Sequence, residues 1–323
     1  MFGTESGRML AEAKEASFKP HWALQILIFF LVFFVAQIAL TTFAMLPTFV
    51  WLVAESGFIA AAVRGDAEAA MAAALAVPDW LRAVQLFLTA AETGCALLYC
   101  RCIEKRSARS MGFTRRGWLR QYLSGYAVGA GMMLAACGLS VLLGGVTLSL
   151  SASISACGVA LFFAGYIVQG MAEEVLVRGY FMLSFAGSLK SRHAAAIAVG
   201  VSSLLFAAMH LANPGMTPLS FANLLLAGLF FALYALRTDN IWGASAAHAA
   251  WNFFQGHILG SEVSGLTSSA SVFKAQAHGA AWLGGGSFGL EGGVAVCAVL
   301  LLAILLLLFV PKRNEKASAA VPE

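Results

Sequence analysis

Charge is what this sequence has least of. Asp, Glu, Lys and Arg make up 11% of its 323 residues, under half the roughly 25% of a soluble globular chain. That scarcity excludes a soluble enzyme of ordinary composition, and a hydrophobic content of 60% excludes intrinsic disorder. A nucleic-acid surface is excluded as well, because the net charge is only +4 and follows from an asymmetry between loops. Metal-type cysteine spacing is also missing. Cys95, Cys100, Cys102, Cys137, Cys157 and Cys297 form no ligand pattern and read as small apolar packing residues. Neither serine nor cysteine offers an evident nucleophile.

What the chain does have is long apolar runs. They begin near Trp22, Leu81, Tyr122, Ile154, His193, Leu219, Ile241 and Gly293, each close to the roughly 20 residues that a helical crossing needs. The fold class expected is an all-α polytopic transmembrane helical bundle of about eight crossings. The first run reaches Val53 and is expected to tilt or to break at Pro47. The segment before it carries both signs of charge (Arg8, Glu12, Lys14, Glu15, Lys19), and the run is too long for a cleavable leader, so it reads as an uncleaved anchor.

Orientation follows from Lys and Arg. Arg101, Lys105, Arg106, Arg109, Arg115, Arg116 and Arg120 follow the second run; Lys190 and Arg192 follow the fourth; Lys312, Arg313 and Lys316 follow the eighth. With eight crossings these fall on one side together with the N-terminal segment, and the positive-inside rule makes that side cytoplasmic. The expectation is a multi-pass protein of the plasma membrane with both termini in the cytoplasm. Residues 1–153 would hold three crossings, 154–256 the chemistry, and 257–323 an outer loop, the last crossing and a cytoplasmic tail.

Ionisable residues inside crossings are costly and mark functional sites. Glu92 stands alone in the second crossing and, matching no motif, reads as a structural partner for another polar group. The fourth holds Glu173, Glu174 and Arg178; the fifth ends on Phe206 and His210; the seventh holds His248 and Asn252. Glu174 and Arg178 are four apart with the acid first, the favourable order for a helical ion pair, which leaves Glu173 to face a cavity. The alternative role for Arg178 is to receive a substrate carboxylate. At 1.5 Å per residue, Glu173 and His210 both lie roughly 25 Å from the turn joining their crossings, hence at one level. His248 and Asn252 share a face one turn apart, among small residues that permit close helix approach. A carboxylate beside an imidazole can deprotonate water, and a second imidazole with a carboxamide can stabilise an oxyanion. Glu with two His is equally the ligand set of a catalytic zinc. His21, His193, His257 and His278 fall at crossing ends or in loops and are not expected to act.

At these residues the chain resembles a known family. E-E-x-x-x-R at 173–178, F-x-x-x-H at 206–210 and H-x-x-x-N at 248–252 are similar to the motifs of the CAAX-processing and bacteriocin-processing (CPBP, Abi) intramembrane proteases. L-G-G-G-S-F-G-L-E-G-G at 283–293 is similar to the tail of bacterial members. The resemblance implies an α-helical membrane endopeptidase acting on a membrane-near or lipid-modified peptide, with lipid bilayer and peptide substrate as its partners. Glu173 and His210 would activate water, His248 and Asn252 would hold the oxyanion, and Glu174 with Arg178 completes the motif set. Members are described both as metalloproteases and as metal-free glutamate enzymes, so a zinc held by Glu173, His210 and His248 stays open. The rival classes are a proton-coupled transporter, which the lack of an inverted repeat disfavours, and a non-catalytic membrane scaffold.

Overall fold

A computed structural model describes residues 7–267 and 270–311; Lys312, Arg313 and Lys316, used above for orientation, lie outside the described residues. Helix α1 (Arg8–Lys14) leads into α2 (Trp22–Ala54). Of the tilt or break expected there, the break does not occur: α2 runs unbroken for 33 residues with Pro47 inside it. Proline removes one backbone donor and crowds one turn, and the remaining backbone bonds of this long apolar helix carry it through. Two short helices, α3 (Phe58–Val63) and α4 (Ala67–Leu75), follow. Asp66 starts α4 by accepting from Ala69 N at 2.9 Å, as an N-cap carboxylate does.

The second crossing consists of α5 (Asp79–Leu88) and α6 (Ala90–Cys102), which meet at Thr89. Then come α7 (Trp118–Leu142), strand β1 (Val146–Leu150) and α8 (Ala156–Glu174). From α8 the helix continues through a π-helical stretch, Val175–Met182, into α9 (Leu183–Ser188). Helices α10 (Ala194–Met209), α11 (Pro218–Thr238) and α12 (Trp242–Phe253) complete the central part, with α12 extended by a second π turn, Phe254–Ile258. Strand β2 (Phe273–Ala277), α13 (Ala281–Gly284) and α14 (Val294–Phe309) close the described chain.

Among the described residues, five helical spans are long and apolar enough to cross a membrane: Trp22–Ala54, Asp79–Cys102, Trp118–Leu142, Ala156–Ser188 and Pro218–Thr238. The other three expected crossings are also helical but shorter: α10 and α14 have 16 residues each, and α12 has 12 before its π turn. The chain is an all-α helical membrane protein. Among the described residues a small sheet forms that was not anticipated: β1 and β2 pair antiparallel, from Val146 opposite Ala277 to Leu150 opposite Phe273.

Helix α12 is the centrepiece, packed between α7 and α8. The approach is close enough that a Cβ on Gly129 of α7 would lie 2.0 Å from Ala247 O, and one on Gly125 2.1 Å from Gly243 O. Only small residues allow backbones this near, and van der Waals contact between them is what joins helices where water cannot.

The connections gather at two ends. At one, Arg8 N and Met9 N donate to the Asp239 carboxylate at 3.0 Å, Ser17 N reaches Glu104 O at 2.9 Å, and Trp242 Nε1 reaches Thr114 O at 2.9 Å. At the other, β1 meets β2, Ser151 N reaches Val272 O at 3.0 Å, Asn213 Nδ2 reaches Ser264 O at 3.0 Å, and Arg82 bonds Thr267 O.

Candidate active site

Glu173, His210, His248 and Asn252 line one cavity of about 370 Å³, near the lower end of the roughly 300–1,000 Å³ typical of ligand sites. Four elements deliver them. Glu173 is next to last in α8, directly before the π stretch, and π turns concentrate at functional sites because they re-aim neighbouring side chains. His210 ends α10 as its C-cap. The face of α12 pressed between α7 and α8 carries His248 and, one turn on, Asn252.

Behind the cavity lies a buried polar framework. Arg178 Nη1 donates to Glu174 Oε1 at 2.8 Å, and its Nη2 donates to Gly228 O at 3.1 Å. Its guanidinium rests over the Phe206 ring, 4.5 Å from the centroid. Both ionic side chains are fully buried and neither lines the cavity. Glu174 also meets His248 Nδ1 at 2.9 Å; a carboxylate already paired with Arg178 accepts, so that nitrogen donates. His248 is further held by the Phe231 ring, stacked at 4.8 Å, and by the edge of Phe206 at 5.8 Å. Its Nε2 then lies 3.8 Å from Glu173 Oε2. His210 is fixed by the same logic: Nδ1 lies 2.8 Å from Phe206 O, and a carbonyl can only accept, so Nε2 is the nitrogen left for chemistry.

A further link was not read from the sequence. Asn252 Nδ2 donates to Gln169 Oε1 at 3.1 Å, and Gln169 Nε2 donates to Glu173 Oε1. Gln169 precedes Glu173 by one turn of α8, a spacing that could have pointed to it. It holds one oxygen of Glu173, while the other, Oε2, makes no hydrogen bond among the described residues. Glu291 is a second addition: it accepts from Trp251 Nε1 at 3.1 Å and from Ser264 N and Oγ at 2.9 Å, roofing the cavity beside Asn252. Glu92, read from the sequence as a structural partner for another polar group, accepts from Gln37 Nε2 at 2.8 Å and also lines the cavity.

The other histidines stay apart. His257 is buried, stacked on Phe162 at 3.9 Å, with Nδ1 on Ala270 O; His278 meets Thr147. A G-x-S-x-G pattern, passed over in the sequence reading, occurs at 285–289. It forms short 3₁₀ turns outside the cavity lining, not the strand-to-helix elbow that a nucleophilic serine needs. For zinc, the donor types suit, and an imidazole whose Nδ1 is held by a carboxylate is a familiar ligand arrangement. Spacing does not suit: among the described residues, no three His, Cys, Asp or Glu side chains are gathered to hold a metal ion. No step is therefore derived through a metal.

Residues 153–254 match the family model described as Type II CAAX prenyl endopeptidase Rce1-like. That segment is Rce1-like. It covers roughly a third of the chain and carries Glu173, His210, His248 and Asn252, in keeping with the resemblance read from the three motifs. No curated protein and no solved structure gives a match. The cavity extends beyond the Rce1-like segment, since Phe33, Gln37, Leu86 and Glu92 come before it and Val263, Ser264, Leu266 and Glu291 after it.

Proposed function

We propose that the protein is an intramembrane endopeptidase that hydrolyses a peptide bond in a membrane-near or lipid-modified substrate by CAAX-type chemistry. Glu173 is the general base. As the oxygen of a water attacks the peptide carbonyl carbon, one of its protons passes to Glu173, assisted by His210. The carbonyl oxygen becomes an oxyanion, stabilised by the amide of Asn252 and by His248, which as the imidazolium donates from Nε2 while its Nδ1 stays on Glu174. Collapse of the tetrahedral species breaks the C–N bond, and the proton held by Glu173 passes to the departing amine. Glu174 and Arg178 act from behind by fixing His248.

The observation that carries this reading is the state of Glu173. One of its oxygens is held by Gln169, and the other is without a hydrogen-bonding partner among the described residues, in a cavity shared with His210, His248 and Asn252. A scaffold would have no use for an unanswered buried carboxylate oxygen, which costs free energy without return. The reading includes a plasma-membrane location with both termini cytoplasmic, and a reaction that runs without metal.

The test compares membrane peptides, by mass spectrometry, from cells with wild-type protein and with Glu173→Gln. The amide keeps the volume and cannot take a proton, so peptides cut by the wild type should disappear. Unchanged cleavage by Glu173→Gln sinks the proposal. Chelator-treated protein, verified free of metal, should remain active; its inactivation, with recovery on zinc, would replace the base mechanism by a metal one.

A further inference from the structure

Glu92 is the acid that the mechanism leaves unused. It sits on α6, ahead of the Rce1-like segment, and is 5% exposed. Its Oε1 accepts from Gln37 of α2 at 2.8 Å. Its Oε2 has no hydrogen-bond partner among the described residues, although the side chain lines the same cavity as Glu173. A buried carboxyl is normally answered at both oxygens or paired with a cation. Here one oxygen is answered by an amide, and the other is buried without a partner in a side chain that lines the cavity.

The rest of the lining says what charge that occupant carries. Three carboxyl side chains, Glu92, Glu173 and Glu291, face the cavity, and no Lys or Arg stands among its described lining residues. The nearest guanidinium, Arg178, is bound to Glu174 and Gly228 O and does not reach the surface. His248 lies between Glu174 and Glu173, so its imidazole already has carboxylate neighbours. Glu291 has its oxygens engaged by Trp251 and Ser264, and Glu173 is committed to chemistry. Glu92 remains.

We propose that Glu92, oriented by Gln37, is a subsite for a basic side chain, a Lys ammonium or Arg guanidinium, beside the scissile bond of the peptide. This rests on the peptidase reading and narrows its substrate class. Charge-assisted hydrogen bonds are about twice as strong as neutral ones, and a low-dielectric cavity strengthens them further. The favoured substrates carry Lys or Arg beside the cut bond.

The experiment uses the full chain in lipid nanodiscs and N-acetylated peptides cut by the wild type, each made with Lys, Met or Glu beside the cut bond. The ratio of kcat/KM for Lys over Met should be about 10-fold to 100-fold, the range for a hydrogen bond to a charged group, and should fall to near one in Glu92→Gln. Binding of the Lys and Met peptides to Glu173→Gln protein supplies a readout independent of hydrolysis. Cleavage with no preference for Lys, or a preference that survives Glu92→Gln, overturns the subsite and leaves the peptidase intact. Selective binding of the Lys peptide, lost in Glu92→Gln, in a protein that cuts nothing would support the subsite while the peptidase reading fails.

Discussion

Arg178 touches no part of the cavity surface, yet the site depends on it. Its guanidinium is the partner of Glu174, and Glu174 holds the imidazole of His248. Arg178→Met would strand a buried carboxylate, and breaking a buried pair in this way costs about 3–5 kcal/mol. Thermal unfolding in detergent should therefore show a large loss for Arg178→Met and almost none for Glu173→Gln, whose side chain keeps its volume. Equal melting of Arg178→Met and wild type would mean that the pair supports nothing. Asn252 is a different case, because its amide is aimed at the reaction. Asn252→Ala should lower the rate by on the order of 10²–10³, the usual effect of losing one oxyanion donor, in a single-turnover peptide assay; a loss below tenfold would remove Asn252 from that role. These residues were legible in sequence because an ionisable or amide group in an apolar run is conspicuous. Gln169 was legible in principle, one turn before Glu173. Gln37 was not: its partner Glu92 is 55 positions away, and only the packing of α2 against α6 joins them.

At the level of elements, what the sequence made visible was the set of apolar runs, and each of the eight is a helix. What it hid depended on partners remote in the chain. β1 reads V-T-L-S-L, an alternation suited to a strand, but its partner F-K-A-Q-A lies over a hundred residues later, and neither is stable as a strand alone. The small residues of α12 were visible, and their meaning becomes concrete against α7. Gly129 has no room for a side chain, whereas a Cβ on Gly138 of the same helix meets nothing within 4 Å. The two glycines should respond oppositely. Gly129→Leu would drive α12 from α7 and displace His248 and Asn252, abolishing cleavage and lowering the melting temperature. Gly138→Ala should be neutral or stabilising by about 0.5–1 kcal/mol, since alanine is the better helix former. Melting curves and peptide cleavage measured on the pair check both, and equal tolerance of the two substitutions would contradict the packing.

For the whole molecule, the two groups of connections constrain how it sits in a bilayer. Segments around Arg8–Ser17, Glu104–Thr114 and Asp239 meet at one end, while β1, Asn213 and 264–277 meet at the other. Successive long helices therefore run in alternating directions between the two ends. The three short members, α10, α12 and α14, follow the same alternation, and tilt or local thinning of the bilayer accommodates helices of their length. The end with Arg101, Lys105, Arg106, Arg109, Arg115 and Arg116 is the basic one, and the proposed orientation puts it in the cytoplasm by the positive-inside rule. In that orientation Glu291 and Ser264, which line the cavity, would stand on its outer side. Reporter fusions after Asp66 and after Gly265 should both signal the non-cytoplasmic side, and a fusion after Lys190 the cytoplasm. A cytoplasmic signal at Asp66 alone would change the path of the first two crossings; one at Gly265 would invert the half that carries Glu173, His210 and His248.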